Sequence, residues 1–221
     1  MHPVLRFYED TLSSAAAMEF RLPPLPRVLF VLHGAATIAG KLLRDGETWQ
    51  GETAVTIAPG AEGVTCWRFE LTRGNAGSTV AAAPGMTTRE KLTAHLETLP
   101  KGELLMRADS VGFPPGGCAH LHTHQGPGIR CLIEGGIRID THGRSTSYGP
   151  GGAWYEAGPD PVFAQAAADR PSRFLRVMIL PRALIGKSSI QYVNEADKAK
   201  PKSQTYTRYA DAPVTLDPAH Q

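Results

Sequence analysis

The sequence predicts an all-β protein: two similarly built barrels or sandwiches joined by one short helix. Three observations carry that expectation. Short apolar runs recur along the 221 residues, separated by glycine (23 in all), proline (18) and charged turns, the pattern of a chain with many strands. An apolar strand, a glycine and a second strand occur twice, around Val28-Leu29-Phe30-Val31-Leu32-His33-Gly34 and around Ile129-Arg130-Cys131-Leu132-Ile133-Glu134-Gly135. Near the end of each half, Cys66-Trp67-Arg68-Phe69-Glu70-Leu71 likewise lies over Phe174-Leu175-Arg176-Val177-Met178-Ile179. Finally, His120, His122 and His124 occupy alternate positions, which in an extended strand project from one face.

The elements follow in order. In the first half, residues 28–32, 35–38, 53–57 and 64–71 read as strands between Gly, Pro or charged turns. Thr87-Thr88-Arg89-Glu90 reads as a capping box, and Leu92, His95, Leu96 and Leu99 recur at helical spacing until Pro100, which predicts the connecting helix. In the second half, residues 104–107, 119–124, 129–133, 136–140, 153–156, 162–166 and 174–180 read as strands. The expected organisation is a first barrel over 1–85, the helix over 86–101, a second barrel over 102–182 and a polar tail over 183–221. That tail has too few apolar residues for a core of its own, although Tyr192, Val193, Tyr206 and Tyr209 can anchor it on the barrel or on a partner subunit.

Composition narrows the function classes. The chain is 42% hydrophobic and 20% charged, as in an ordinary globular protein. Its net charge is +2 with scattered basic residues, which argues against nucleic acid as a partner. No apolar stretch is long enough to span a bilayer, and the start of the chain, with Arg6, Glu9 and Asp10, is unlike a signal peptide. Cys66, Cys118 and Cys131 lack the CxxC spacing of a metal site and read as the reduced thiols of a cytoplasmic protein.

From Gly116 onward the sequence resembles a cupin. Cupins carry a glycine, five residues, HxH, three or four residues, a glutamate, six residues and a glycine. Here Gly116, His122-Thr123-His124 and Gly135 fall in those places. The resemblance covers residues 102–181, and the first half only through the internal repeat. It implies a double-stranded β-helix (jelly-roll) barrel with a divalent metal (Fe, Zn, Mn or Ni) in its mouth. The twofold frame implies a bicupin and, by family habit, a homodimer. The usual activities are those of dioxygenases, isomerases, decarboxylases and lyases, and a metal-dependent enzyme acting on a small anionic organic molecule, of dioxygenase type, is the leading expectation. A non-catalytic small-molecule-binding module is the alternative.

The departures from the motif are specific. Gly128 stands where the metal-binding Glu is expected, and Pro161 where the second motif places a His. Two imidazoles alone bind metal weakly, since protein sites supply three or four ligands. His120 and Glu156 are therefore the residues proposed to complete a site with His122 and His124, ahead of the amides of Gln125 and Gln165. His120 is expected on the same strand face, its Cα about 13 Å from that of His124. If position 128 points inward, alternation turns Arg130 and Leu132 inward too. A buried Arg requires an anion, either an internal Glu or a bound organic acid. Arg130 is thus a candidate to hold a substrate carboxylate, Glu156 a candidate general base, and Phe163 with Gln165 an expected wall and amide of the pocket. In the first half the HxH positions fall on Arg21 and Pro23, so that barrel is expected to be structural.

Overall fold

The computed structural model describes residues 2–14, 19–74, 80 and 83–216. The chain divides into two compact units, one formed by residues 1–97 with 214–221 and the other by residues 98–213. Both are built from strands. Among the described residues the helical segments are a 3-10 turn at Arg182–Leu184 and the one-turn helix α1 (Glu195–Lys198).

The first unit holds β1 (Pro3–Leu12), β2 (Phe20–Leu22), β3 (Arg27–Ile38), β4 (Lys41–Arg44), β5 (Thr48–Gly51), β6 (Val55–Arg73) and β7 (Met86–His95). They form one sheet in the order β4-β3-β6-β1-β7, with β2 added to β6 and β5 to β3. The predicted segment 53–57 only overlaps β6, and 64–71 is the second half of the same 19-residue strand. Leu29, Val31, Ile38, Ile57, Val64 and Cys66 are buried together on its inner face.

The connecting helix is not formed. Residues 86–95 are β7, paired antiparallel to β1 from Leu12↔Met86 to Val4↔His95. Spacing at 92, 96 and 99 suits a helix, but 92, 94 and 96 alternate equally well, and Ala94 and Leu96 are the buried residues there. Thr87, Thr88 and Thr93 favour a strand, and pairing satisfies the backbone edge of β1 that a helix would leave open.

The second unit contains β8 (Leu104–Phe113), β9 (Cys118–His124), β10 (Gly128–Glu134), β11 (Ile137–Thr141), β12 (Arg144–Tyr148), β13 (Ala153–Glu156), β14 (Val162–Ala166), β15 (Ser172–Pro181), β16 (Ile190–Tyr192) and β17 (Thr205–Val214). Two five-stranded sheets result, β13-β10-β15-β8-β17 and β12-β11-β14-β9-β16. Their inner faces bury Val111, Leu132, Ile139, Trp154, Ala164 and Phe174. The polar tail supplies an edge strand to each sheet, β16 and β17, rather than a core.

Strand registers coincide where the sequence repeats. Leu29 faces Arg68 across β3–β6, and Arg130 faces Arg176 across β10–β15. Gly34 and Gly135 end the matching segments with φ of +87° and +84°. A Cβ at Gly135 would lie 2.2 Å from Pro171 O, so both conformation and space demand glycine. Gly135→Ala is expected to lower stability in urea denaturation by at least about 2 kcal/mol, from left-handed strain plus the clash. Gly143→Ala, at a φ of +70° with nothing within 4 Å, carries the strain alone and is expected to cost about half as much. Equal losses in the two variants would contradict the steric account.

Candidate functional site

The interior of the second barrel is apolar except at one end, and a bulge decides which histidines reach it. Across β9 and β14, His122 pairs with Val162 but Ala119 with Ala164, so three steps on β9 oppose two on β14. The extra residue shifts the strand's phase. Ala119, His122 and His124 face the interior, whereas His120 turns outward, with its Nδ1 3.9 Å from Cys118 Sγ. His120 therefore does not share a face with the other two, and the three-imidazole expectation fails at that residue.

The same phase corrects the expected pocket wall. On β14 the inward residues are Val162, Ala164 and Ala166, all in the core. Phe163 and Gln165 face away, and Gln165 Nε2 donates to the carbonyls of Gly116 (2.7 Å) and Gly117 (3.3 Å). Neither lines the interior. Gln125, just after β9, is also absent from its lining.

On β10 alternation holds. Gly128, Arg130 and Leu132 face inward, and Arg130 is buried. Its anion is internal: Arg130 Nη2 lies 2.8 Å from Glu156 Oε2, and Nη1 donates to Gly128 O at 2.7 Å. Glu156 sits directly across from Gly128 on β13, so its carboxylate hangs over the position where the cupin glutamate is missing. Trp154 Nε1 donates to its other oxygen at 2.8 Å. His124 Nε2 is 3.6 Å from Glu156 Oε2, and the two imidazole rings stand 4.8 Å apart and nearly perpendicular. His122 Nδ1 lies 2.6 Å from His120 O, a contact that places the proton on Nδ1 and leaves Nε2 unprotonated. Three buried atoms here have no hydrogen-bond partner among the described residues: His124 Nδ1, Arg130 Nη2 and Glu156 Oε2. The last two form a close ion pair, but not at a hydrogen-bonding angle.

Further residues complete the surroundings. Arg176 donates from Nε and Nη2 to both oxygens of Asp109, each at 2.8 Å. Ile190 and Tyr206, from the tail, join Arg176 in closing the cavity. Its volume is about 20 Å³, room for a single water-sized molecule.

Electrostatics follow from burial. Desolvation holds His124 well below the ordinary imidazole pKa, and the positive fields of Arg130 and Arg176 reinforce it. His122 is lowered chiefly by burial, against the opposing hydrogen bond to His120 O. Burial brings Arg130 down to about 10 despite Glu156, so it remains a cation at neutral pH. For Arg176 burial opposes the charge, but Asp109 outweighs it and the pKa rises.

Two neutral imidazoles are suitable metal donors, but the rest of the set does not fit a metal ion. A Cβ at Gly128 would meet Val177 O at 2.4 Å, so no side chain can enter there. Glu156 is engaged by Arg130, and the pair offers a dication no net charge. Among the described residues no group of three or more His, Cys, Asp or Glu is placed to hold a metal.

No protein-family model and no curated protein matches the sequence. Solved structures do resemble the fold. AerE from Microcystis aeruginosa is similar over 81% of this chain and 93% of its own, at 14% identity and a TM-score of 0.59. A Lactobacillus farciminis oxalate decarboxylase in complex with formate is similar over 91% and 82%, at 13% identity and 0.59. A salicylate 1,2-dioxygenase variant from Pseudoaminobacter salicylatoxidans, in complex with gentisate, is similar over 79% and 68%, at 11% identity and 0.53. At these identities the likeness establishes the fold: all-β jelly-roll barrels of the cupin type. No helix of the described residues is long and apolar enough to cross a membrane.

The lowered histidine pKa values have a consequence for stability. Folding withholds protons that the unfolded chain takes up below about pH 6.5, so stability falls as pH drops below that value. The slope is about 1.4 kcal/mol per pH unit for each histidine until its folded pKa is reached. Denaturation midpoints between pH 7 and 5 are expected to fall steeply in the native chain and less so in His124→Gln. Parallel profiles would contradict the buried neutral imidazole.

Proposed function

We propose that the second unit is a small-molecule-binding barrel that takes a small organic anion and works without a resident metal. The observation that carries this is the polar cluster itself. Inside an apolar wall, His122, His124, Arg130 and Glu156 converge; His124 Nδ1 has no hydrogen bond among the described residues, and Arg130 Nη2 and Glu156 Oε2 meet only each other, as an ion pair without hydrogen-bonding geometry. Interiors avoid such groups, each of which costs about 1–3 kcal/mol when unsatisfied. A ligand or an ordered water that completes them supplies the reason for keeping them. Any chemistry on that ligand falls to Glu156 as proton acceptor, with Arg130 holding an adjacent negative charge. The bound gentisate and formate of two fold neighbours support a small anionic ligand by analogy alone.

A second reading keeps the divalent-metal enzyme of dioxygenase, isomerase or lyase type. One observation favours it: both inward imidazoles are held neutral, and the His122 Nδ1 contact leaves Nε2 unprotonated. It requires Glu156 to leave Arg130, and the first reading does not.

Metal analysis separates the two. Protein produced with iron, zinc, manganese and nickel supplied in turn is expected to retain well under one ion per chain after desalting. The double variant His122→Ala, His124→Ala is expected to retain no less. Near-stoichiometric metal that disappears in the double variant would overturn the metal-free reading.

A further inference from the structure

We propose that this barrel captures the carboxylate of a small organic acid in a vestibule walled by the C-terminal segment, an inference that rests on the reading of the barrel as a binding site. A cavity of about 430 Å³ opens at the mouth, large enough for a small organic molecule. Arg107, Asp109 and Arg176 line it from β8 and β15, and Ile190, Tyr206 and Arg208 from β16 and β17. Arg176, Ile190 and Tyr206 also bound the inner cavity that holds His122, His124, Arg130 and Glu156. The two spaces thus share one wall.

The charges in the vestibule do not balance. Three guanidinium groups face two carboxylates, Asp109 and Asp211. Asp109 gives both oxygens to Arg176. Asp211 accepts from Arg107 Nε at 2.9 Å and Nη2 at 3.2 Å, and also from Gly186 N at 2.8 Å. Arg107 spends its remaining donors on the carbonyls of Leu184 and Lys187, so it is structural. Arg208 is left with a single 3.4 Å approach to Asp211, its side chain 41% exposed at the opening. Arg176 keeps Nη1 without a hydrogen bond among the described residues. Among the described residues, the guanidinium groups of the vestibule therefore exceed its carboxylates by one charge.

A single carboxylate neutralises that charge, and a guanidinium edge suits its two oxygens. A phosphate monoester would overshoot, since it carries close to two charges at neutral pH. Ile190 and the Tyr206 ring offer an apolar surface for the organic body.

Isothermal titration of the full chain with benzoate, butyrate and inorganic phosphate tests this, on the native protein, Arg208→Gln and Glu156→Gln. Arg208 is solvent-facing, and its removal leaves the Arg107–Asp211 pair intact. One or both carboxylates are expected to bind saturably to the native chain. Affinity is expected to fall at least about tenfold in Arg208→Gln, a loss of about 1.4 kcal/mol, and by less than about threefold in Glu156→Gln. No saturable carboxylate binding at concentrations on the order of 10 mM, or unchanged affinity in Arg208→Gln, overturns the vestibule. Loss in Glu156→Gln alone places the anion in the inner cavity, which also overturns it while leaving the binding barrel in place. Phosphate binding tighter than either carboxylate overturns the ligand class.

Discussion

Buried guanidinium–carboxylate pairs that cross from strand to strand are the constraint on which both barrels depend. In the first unit Arg68 on β6 donates to both oxygens of Asp10 on β1, at 2.6 and 3.0 Å. Arg27 on β3 donates twice to Glu70 on β6. In the second unit Arg176 on β15 grips Asp109 on β8, and Arg130 on β10 meets Glu156 on β13. Burying such charges is expensive, and removing one partner costs about 3–5 kcal/mol because the other is stranded. A two-residue slip between β3 and β6, or between β15 and β8, would keep the apolar faces inward yet take Arg27 from Glu70, or Arg176 from Asp109, which now face each other directly. The pairs therefore fix register where hydrophobicity alone leaves it ambiguous.

The same device has different outcomes in the two units. In the first, the two pairs join into one network: Arg68 Nη1 reaches Glu70 at 2.9 Å, and Thr88 donates to Asp10 at 2.6 Å. All four charged side chains are fully buried. That interior is occupied by its own ion pairs. In the second, Glu156 holds Arg130 at an angle that forms no hydrogen bond, and His124 Nδ1 is left over. Function is assigned to the second barrel because its buried charges adjoin two inward imidazoles and a cavity, and His124 Nδ1 there has no hydrogen bond among the described residues.

The sequence disclosed the fold better than the site, for a physical reason. Period-two alternation places inward residues correctly so long as a strand is regular, as β10 is, and Arg130 and Leu132 were legible on that basis. On β9 one inserted residue between Ala119 and His122 reverses the phase, and no residue type there announces it. The three histidines look equivalent in sequence, and the bulge separates them. The inward choice of Phe163 and Gln165 failed because only tertiary pairing with β9 sets the phase of β14. At β7, spacing compatible with both periods was decided by the open edge of β1. Asp109 inside the apolar run of β8 was a legible signal, a charge at an inward position, and it points to the Arg176 pair.

The polar tail is the remaining case. A segment with so few apolar residues cannot make a core, but it can cover the mouth of one. β16 pairs with the strand that carries the site, Ile190 opposite His124 and Tyr192 opposite His122. β17 closes the other sheet, with Tyr209 OH 3.0 Å from Ser110 Oγ and Asp211 on Arg107. Each attachment is polar and lies at the barrel's open end, so the segment covers that end without filling it. The composition that denies the tail a core of its own is the composition a charged vestibule requires. Lining such a space calls for arginine, serine and tyrosine, held by an edge strand whose backbone pairing, rather than its side chains, supplies the anchorage.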